Sequence, residues 1–186
     1  MGTYMKLTSR RQRRNDAGFT LIDLLFVIAL IGLLASIAIP GLMKARGAAQ
    51  ASSALGSLRV VNSGELSFAI TCGLGFYSPD LQTLGVPPPG STEPFLPDEM
   101  TAAATFIKSG YNFSLGGTGL QGAPATCNGL PAGQASPGYA IVADPLDPSA
   151  ARFFGTNSDG VIYQHTGSLL ATMPESGSPP AGLPIQ

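Results

Sequence analysis

Residues 18–43 read GFTLIDLLFVIALIGLLASIAIPGLM, and the fold turns on how that stretch is read. Leu24 to Met43 is twenty residues without a charge, nearly all of them apolar. As a helix at ~1.5 Å per residue they span ~30 Å, the thickness of a bilayer's hydrocarbon core. One carboxylate, Asp23, sits just inside the N-terminal edge. Residues 1–18 carry Lys6, Arg10, Arg11, Arg13 and Arg14 against Asp16, a charge of +4. Residues 19–186 carry five basic and ten acidic side chains, or −5. A basic block abutting an apolar span keeps that end cytoplasmic by the positive-inside rule. A nucleic-acid binder also shows a basic end, but that reading leaves the abutment unexplained.

An ordinary secretory signal is the competing reading. Its apolar region runs about 7–15 residues and ends at a small-residue cleavage site. Ala35-Ser36-Ile37-Ala38 has that form. The apolar run here is longer, however, and a signal needs neither the Gly18-Phe19-Thr20 step nor Asp23.

Gly18, Phe19, Thr20, Leu21 and Ile22, followed by an acid, resemble the N-terminus of type IV pilins and pseudopilins. The resemblance implies a prepilin peptidase that cuts between Gly18 and Phe19, and N-methylation of Phe19. It implies that Asp23, at the fifth mature position, meets the N-terminal amine of a neighbouring subunit. That family usually has Glu there, so Asp keeps the charge and loses one methylene of reach. Gly32, Pro40 and Gly41 fall where the family places helix-weakening residues. From the residues alone, an ionised carboxylate in lipid costs roughly 2.5–3.5 kcal/mol, which makes Asp23 a functional candidate. The alternative is a helix-start residue favoured by the helix dipole.

Beyond Met43 the helical pattern continues. Ala45 to Ile70 lacks proline, and Leu55, Leu58, Val61, Leu66 and Ala69 recur near helical spacing. Gly47, Gly56 and Gly64 each weaken a helix by about 1 kcal/mol relative to Ala, so this half needs a face packed on a domain. The expectation is one helix from Phe19 to Ile70, ~78 Å long, kinked at Pro40 and loosened by Gly32 and Gly41. Gly73 to Met100 is broken by prolines and holds no long element. Thr101 to Lys108 is expected as one or two turns of helix. Strand patterns follow at 110–115, 139–143, 152–156 and 161–164, the last two flanking Asn157-Ser158-Asp159-Gly160, a hairpin turn signal.

The fold class expected is α+β: a long N-terminal helix packed against a small antiparallel sheet of about four strands in sequence order. The chain divides into a basic leader (1–18, removed), an apolar membrane or filament-core half-helix (19–43), an amphipathic half-helix (44–71), a globular head (72–175) and a flexible tail (176–186). Lys108-Ser109-Gly110-Tyr111, Cys127-Asn128-Gly129 and Asp159-Gly160-Val161-Ile162-Tyr163 resemble one group of bacterial pilin-like proteins.

Cys72 and Cys127 are an even pair in a compartment expected to be oxidising, which suggests a bridge from the helix end to the loop before the second strand. Two free thiols are the alternative. With one His and no Cys pair at ligand spacing, zinc is disfavoured. His165 ends a strand and reads as exposed or packed rather than catalytic. Asp144, Asp147 and Asp159 could gather calcium, but each precedes Pro or Gly, where turn formation suffices. Asn112-Phe113-Ser114 fits a glycosylation pattern but lies inside an expected strand. No Gly-rich loop suits a dinucleotide or nucleotide phosphate, so no cofactor is expected.

The resemblance implies a structural, non-enzymatic subunit: a prepilin polymerised through its helix into a type IV pilus. Its partners would be further copies, the peptidase/methyltransferase, the assembly ATPase, the inner-membrane platform and, before assembly, lipid. No specific nucleic acid is expected. Localisation would be single-pass inner membrane with the leader cytoplasmic and the head periplasmic, then a filament. The alternatives are a type II secretion pseudopilin, whose major form would carry a C-terminal calcium-loop motif not found here, and a monomeric binding domain or enzyme on an uncleaved anchor.

Overall fold

The computed structural model describes residues 20–147 and 152–185. Helix α1 runs Leu21–Thr71. The chain forms two units, divided between Met43 and Lys44. In the first, described from Thr20, no residue is buried by the chain. The second holds the core.

Within α1 the buried face follows an alternating three-four spacing: Ala51, Ala54, Leu58, Val61, Glu65 and Phe68, continued by Cys72 just past the helix end. That period makes a seam along the helix, widened by buried Ser57, Gly64 and Ala69. Leu66, expected in the stripe, is 54% exposed, and Leu55 is only half-buried. Gly64 is more than a weak helix residue. A Cβ there would lie 2.7 Å from Leu96 Cδ2 and 3.1 Å from the Phe95 carbonyl oxygen, so its absence lets the 95–96 segment approach the helix backbone.

After α1 come two short helices, α2 (Leu81–Leu84) and α3 (Asp98–Thr101). Asp80 caps α2 by accepting from the Thr83 N–H at 2.8 Å. Six strands follow: β1 Thr105–Lys108, β2 Tyr111–Gly116, β3 Ala140–Pro145, β4 Phe153–Asn157, β5 Ile162–His165 and β6 Leu183–Ile185. They form one sheet in sequence order with every pair antiparallel. The α+β class and the meander agree with the sequence reading, with six strands in place of about four.

Two differences have clear causes. Beyond Thr101, which ends α3, the 101–108 segment is not helical. Its second half is β1, because the Ser109-Gly110 turn takes positive φ at both residues (50° and 81°) and folds it onto β2. Phe106 then stacks on its partner Phe113 with ring centroids 4.5 Å apart. The second difference is at the C-terminus. The 176–186 segment, expected as a flexible tail, supplies β6, and Leu183–Ile185 pair with Gln164, Tyr163 and Ile162. Asn157 helps to bring it there by donating from Nδ2 to the Pro174 and Gly177 carbonyls.

Tyr111, Phe113, Leu115, Ile141, Ala143, Phe154 and Ile162 turn one sheet face toward the helix seam, with Leu81, Leu84, Leu96 and Met100 filling the rest of that core. The opposite face is not bare. Val142 and Tyr163 pack there with Leu169 and Met173 from the chain after β5. The Cys72–Cys127 disulfide ties the helix end to the β2–β3 connection across 55 residues. Closing a loop of that size stabilises by about 4 kcal/mol in the chain-entropy model. Cys127→Ser should therefore lower stability by up to about that amount, and the mature chain should lose its faster mobility on non-reducing gels. Unchanged migration on reducing the wild type would contradict the bridge.

Glu65 is the one acid in the seam, and it is fully buried. Its Oε2 accepts from the Ser78 N–H at 2.9 Å, whereas Oε1 has no partner. Burial holds its carboxyl well above the usual range, the Ser78 bond opposes this, and the nearby Asp80 charge adds to it. The Tyr139 hydroxyl is a further titratable group beside it, with Tyr77 packed on the Tyr139 ring. The folded state thus binds this proton more tightly than the unfolded chain. Its contribution to stability is complete below about pH 4.5 and is lost as pH rises toward the folded value. Glu65→Gln should match wild type in acid and melt higher at neutral pH. Parallel melting curves across that range would show that Glu65 is not protonated in the fold.

Candidate functional site

The N-terminal unit is the candidate site, and its chemistry begins at Thr20. Thr20 donates its backbone N–H to Asp23 Oδ2 at 3.1 Å, and its hydroxyl donates to the same oxygen. The Asp23 N–H returns toward Thr20 Oγ1 at 3.3 Å. This is a capping box three residues wide, satisfying donors that a helix start leaves free. One carboxylate oxygen, Oδ1, makes no hydrogen bond among the described residues. The cap on Asp23 thus engages one carboxylate oxygen, Oδ2.

The helix beyond the cap exposes apolar side chains on every side. Leu21, Phe26, Leu34, Ile37 and Met43 are each more than 60% exposed. The mean hydropathy of its most apolar window is 2.7. An apolar surface of this extent must be covered by lipid or by other chains. Pro40 lies inside α1 and removes one helix N–H. Gly32 and Gly41 have no neighbour within 4 Å of a would-be Cβ, so no packing contact among the described residues requires glycine there. Ser36 satisfies its hydroxyl on the Leu33 carbonyl at 2.7 Å, a polar group settled within the helix. Gly18, Phe19 and the basic leader 1–18 lie outside the described residues.

Elsewhere the sequence candidates turn out to be used by the fold. Asp159 Oδ2 accepts from the Gly177 N–H at 2.8 Å, and Asp144 Oδ2 accepts from Ser168 Oγ at 2.6 Å. Asp147 has an interaction of its own. Among the described residues no three His, Cys, Asp or Glu side chains gather as metal ligands. His165 Nδ1 lies 3.1 Å from the Gly167 N–H, a local turn contact. Asn112 sits within β2 opposite Asp144. An open depression of about 400 Å³ is lined by Arg59, Asn62, Tyr77, Tyr139 and Asp159. Of its polar groups, Tyr139 donates to Asn62 Oδ1, while Asn62, Ser158 and Asp159 bond outside it, to Thr156, Glu175 and Gly177. Sequence reasoning missed Glu65 and the contact at Gly64. The signal for Glu65 was its place in the three-four seam between Val61 and Phe68.

Residues 13–39 match the family model described as the prokaryotic N-terminal methylation motif. Over 60 residues the chain is 43% identical to the type IV major pilin protein PilA of Myxococcus xanthus. That stretch is 32% of this chain and 27% of the Myxococcus protein, so the chain spans about a quarter of the relative's length. No solved structure matches. The matches support a type IV pilin family. Losing a cap of this kind costs about 0.5–2 kcal/mol. In detergent micelles Asp23→Ala should therefore speed hydrogen exchange at the Thr20 amide severalfold, and Asp23→Glu should preserve its protection. Equal exchange in the alanine variant and wild type would mean the box is not formed.

Proposed function

We propose that this chain is a prepilin, cut between Gly18 and Phe19, methylated on the new Phe19 amine and polymerised through residues 19–43 into a type IV pilus. The observation that carries the reading is the apolar half-helix, exposed among the described residues and overlapping the methylation motif. Before assembly lipid covers it, with the basic leader held in the cytoplasm. In the filament other copies cover it. The protein's role is structural, and its partners are the peptidase/methyltransferase, the assembly ATPase and the membrane platform. Similarity to a major pilin favours a pilus over a secretion pseudopilus.

Asp23 supplies the specificity. Among packed apolar helices a carboxylate is costly unless paired. Thr20 occupies Oδ2, and Oδ1 is left for a cation. The Phe19 amine freed by cleavage in a neighbouring copy is the matching charge. Such a pair offsets the burial cost and fixes the axial shift between copies.

The test is filament mass per cell, measured on sheared surface filaments. Gly18→Val should leave an uncut precursor in the membrane. Asp23→Ala should be cut and inserted normally but yield few filaments, whereas Asp23→Glu should assemble. Wild-type yields from Asp23→Ala would reduce Asp23 to a helix cap, and a normally sized mature Gly18→Val product would overturn the cleavage site.

A further inference from the structure

The 44–185 unit has two ends, and its charge is divided unevenly between them. The end nearer Lys44 is marked by the β1–β2 turn. A Cβ on Gly110 would lie 2.8 Å from Gln50 Nε2, and Ser109 Oγ is 2.7 Å from Ser53 Oγ. The Leu146 N–H donates to the Gly110 carbonyl at 2.9 Å, and the Tyr111 hydroxyl donates to the Arg152 carbonyl at 3.2 Å. Phe153 pairs with His165, so Thr166 belongs to the same rim. At the other end Asn62 donates to Thr156, and Ser158 donates to the Glu175 carbonyl.

Four of the unit's bases, Lys44, Arg46, Lys108 and Arg152, lie at the rim end. The acids there are Glu99, Asp144 and Asp147, and each is engaged. Glu99 pairs with Lys108 at 3.0 Å, Asp144 accepts from Ser168, and Asp147 has an interaction of its own. Lys44, Arg46 and Arg152 are exposed and form no ion pair among the described residues. The rest of the unit has one base, Arg59, against Glu65, Asp80, Glu93, Asp98, Asp159 and Glu175. Formal side-chain charge is thus +1 at the rim and −5 elsewhere. Ile107 and Leu146, 67% and 56% exposed, stand beside the rim bases.

Lys44 directly follows Met43, the last residue of the uncharged run. In the membrane-inserted chain it therefore sits where hydrocarbon gives way to headgroups. Gln50 is six helical residues further on, about 9 Å at the helical rise. A headgroup layer is roughly 5–8 Å deep, so long basic side chains at the rim reach its phosphates. We propose that this end of the sheet docks on the anionic phospholipid surface around the emerging helix, with Lys44, Arg46 and Arg152 on phosphates and Ile107 and Leu146 withdrawn from water against the headgroups.

This rests on the proposed inserted stage before assembly, when lipid covers the apolar half of α1. An anionic leaflet attracts basic side chains within about a Debye length, and apolar side chains beside them add to the hold. The acidic remainder of the unit is repelled, so the division of charge selects one orientation on the surface. Arg59 lies 13 helical residues beyond Arg46, about 20 Å, too far to join the contact. Docking of this kind would hold an inserted subunit in one pose until assembly draws it out.

The test uses the full chain inserted into phosphatidylcholine vesicles, with or without phosphatidylglycerol, that carry a headgroup-attached quencher. A fluorophore is placed on Thr166→Cys at the rim or on Ser176→Cys at the far end. Quenching at 166 should be severalfold stronger with phosphatidylglycerol, and quenching at 176 should stay low in both lipids. Arg46→Glu and Arg152→Glu should each cut the gain at 166 by about half or more. Arg59→Glu, the same charge change away from the rim, should keep it. A gain lost equally in Arg59→Glu would reduce the effect to net charge and overturn the docking surface. Quenching that ignores lipid composition, or that rises equally at 176, would overturn it too. Shielding of the 166 label that grows with protein density in either lipid would assign the rim to a second copy, with the same consequence. Insertion is read separately, from resistance to alkaline extraction. An inserted chain without the phosphatidylglycerol effect overturns the docking alone, and a chain that does not insert overturns the membrane stage as well.

Discussion

An uncovered apolar helix surface sets the terms for everything else in this protein. The large apolar side chains of residues 21–43 stand exposed among the described residues, and water cannot be their resting environment. Every other feature of the N-terminal unit either tolerates or exploits that condition. The capping box satisfies the helix start internally, which matters where no water is available to do so. The serine within the span returns its hydroxyl to the backbone. One carboxylate is kept, half-engaged by Thr20. A polar atom with spare valence in an otherwise sealed surface is suited to recognition rather than to stability.

The globular unit solves a different problem with the second half of the same helix. A single seam, spaced three and four residues apart, faces a sheet of which one side is aromatic and branched. The meander needs only local turns, and its tight hairpin at Ser109-Gly110 depends on backbone freedom that glycine supplies. The disulfide then closes the helix end onto a long connection that has little regular structure of its own. Glu65 is the exception in this core. It couples the helix to the Ser78 backbone at the cost of a buried acid, and so ties stability to pH.

What the sequence says of the candidate site rests on local signals. The Gly-Phe-Thr step, the acid at position 23 and the uncharged run all lie within one short stretch, and membrane thickness converts run length into meaning directly. The head was legible in outline. Strands with clear alternation were found, and β3 and β4 fell near their expected places. What failed was context-dependent. The 105–108 segment has no alternation of its own to separate strand from helix, and it becomes a strand through the turn and the Phe106–Phe113 stack. β6 is three residues containing a proline, tolerable because it is an edge strand.

By itself, then, the amino-acid sequence determined that this protein has a long helix with an apolar first half, a basic end before it, an acid at its start and an antiparallel α+β head with two cysteines available to bridge. These follow from short-range patterns of polarity and turn chemistry. Only the tertiary structure decided which helix face is buried, that Glu65 rather than Leu66 belongs to it, that Gly64 marks a close approach, and that the C-terminal segment completes the sheet. Each of these depends on which distant segment arrives beside a residue, and spacing along the chain carries no record of that.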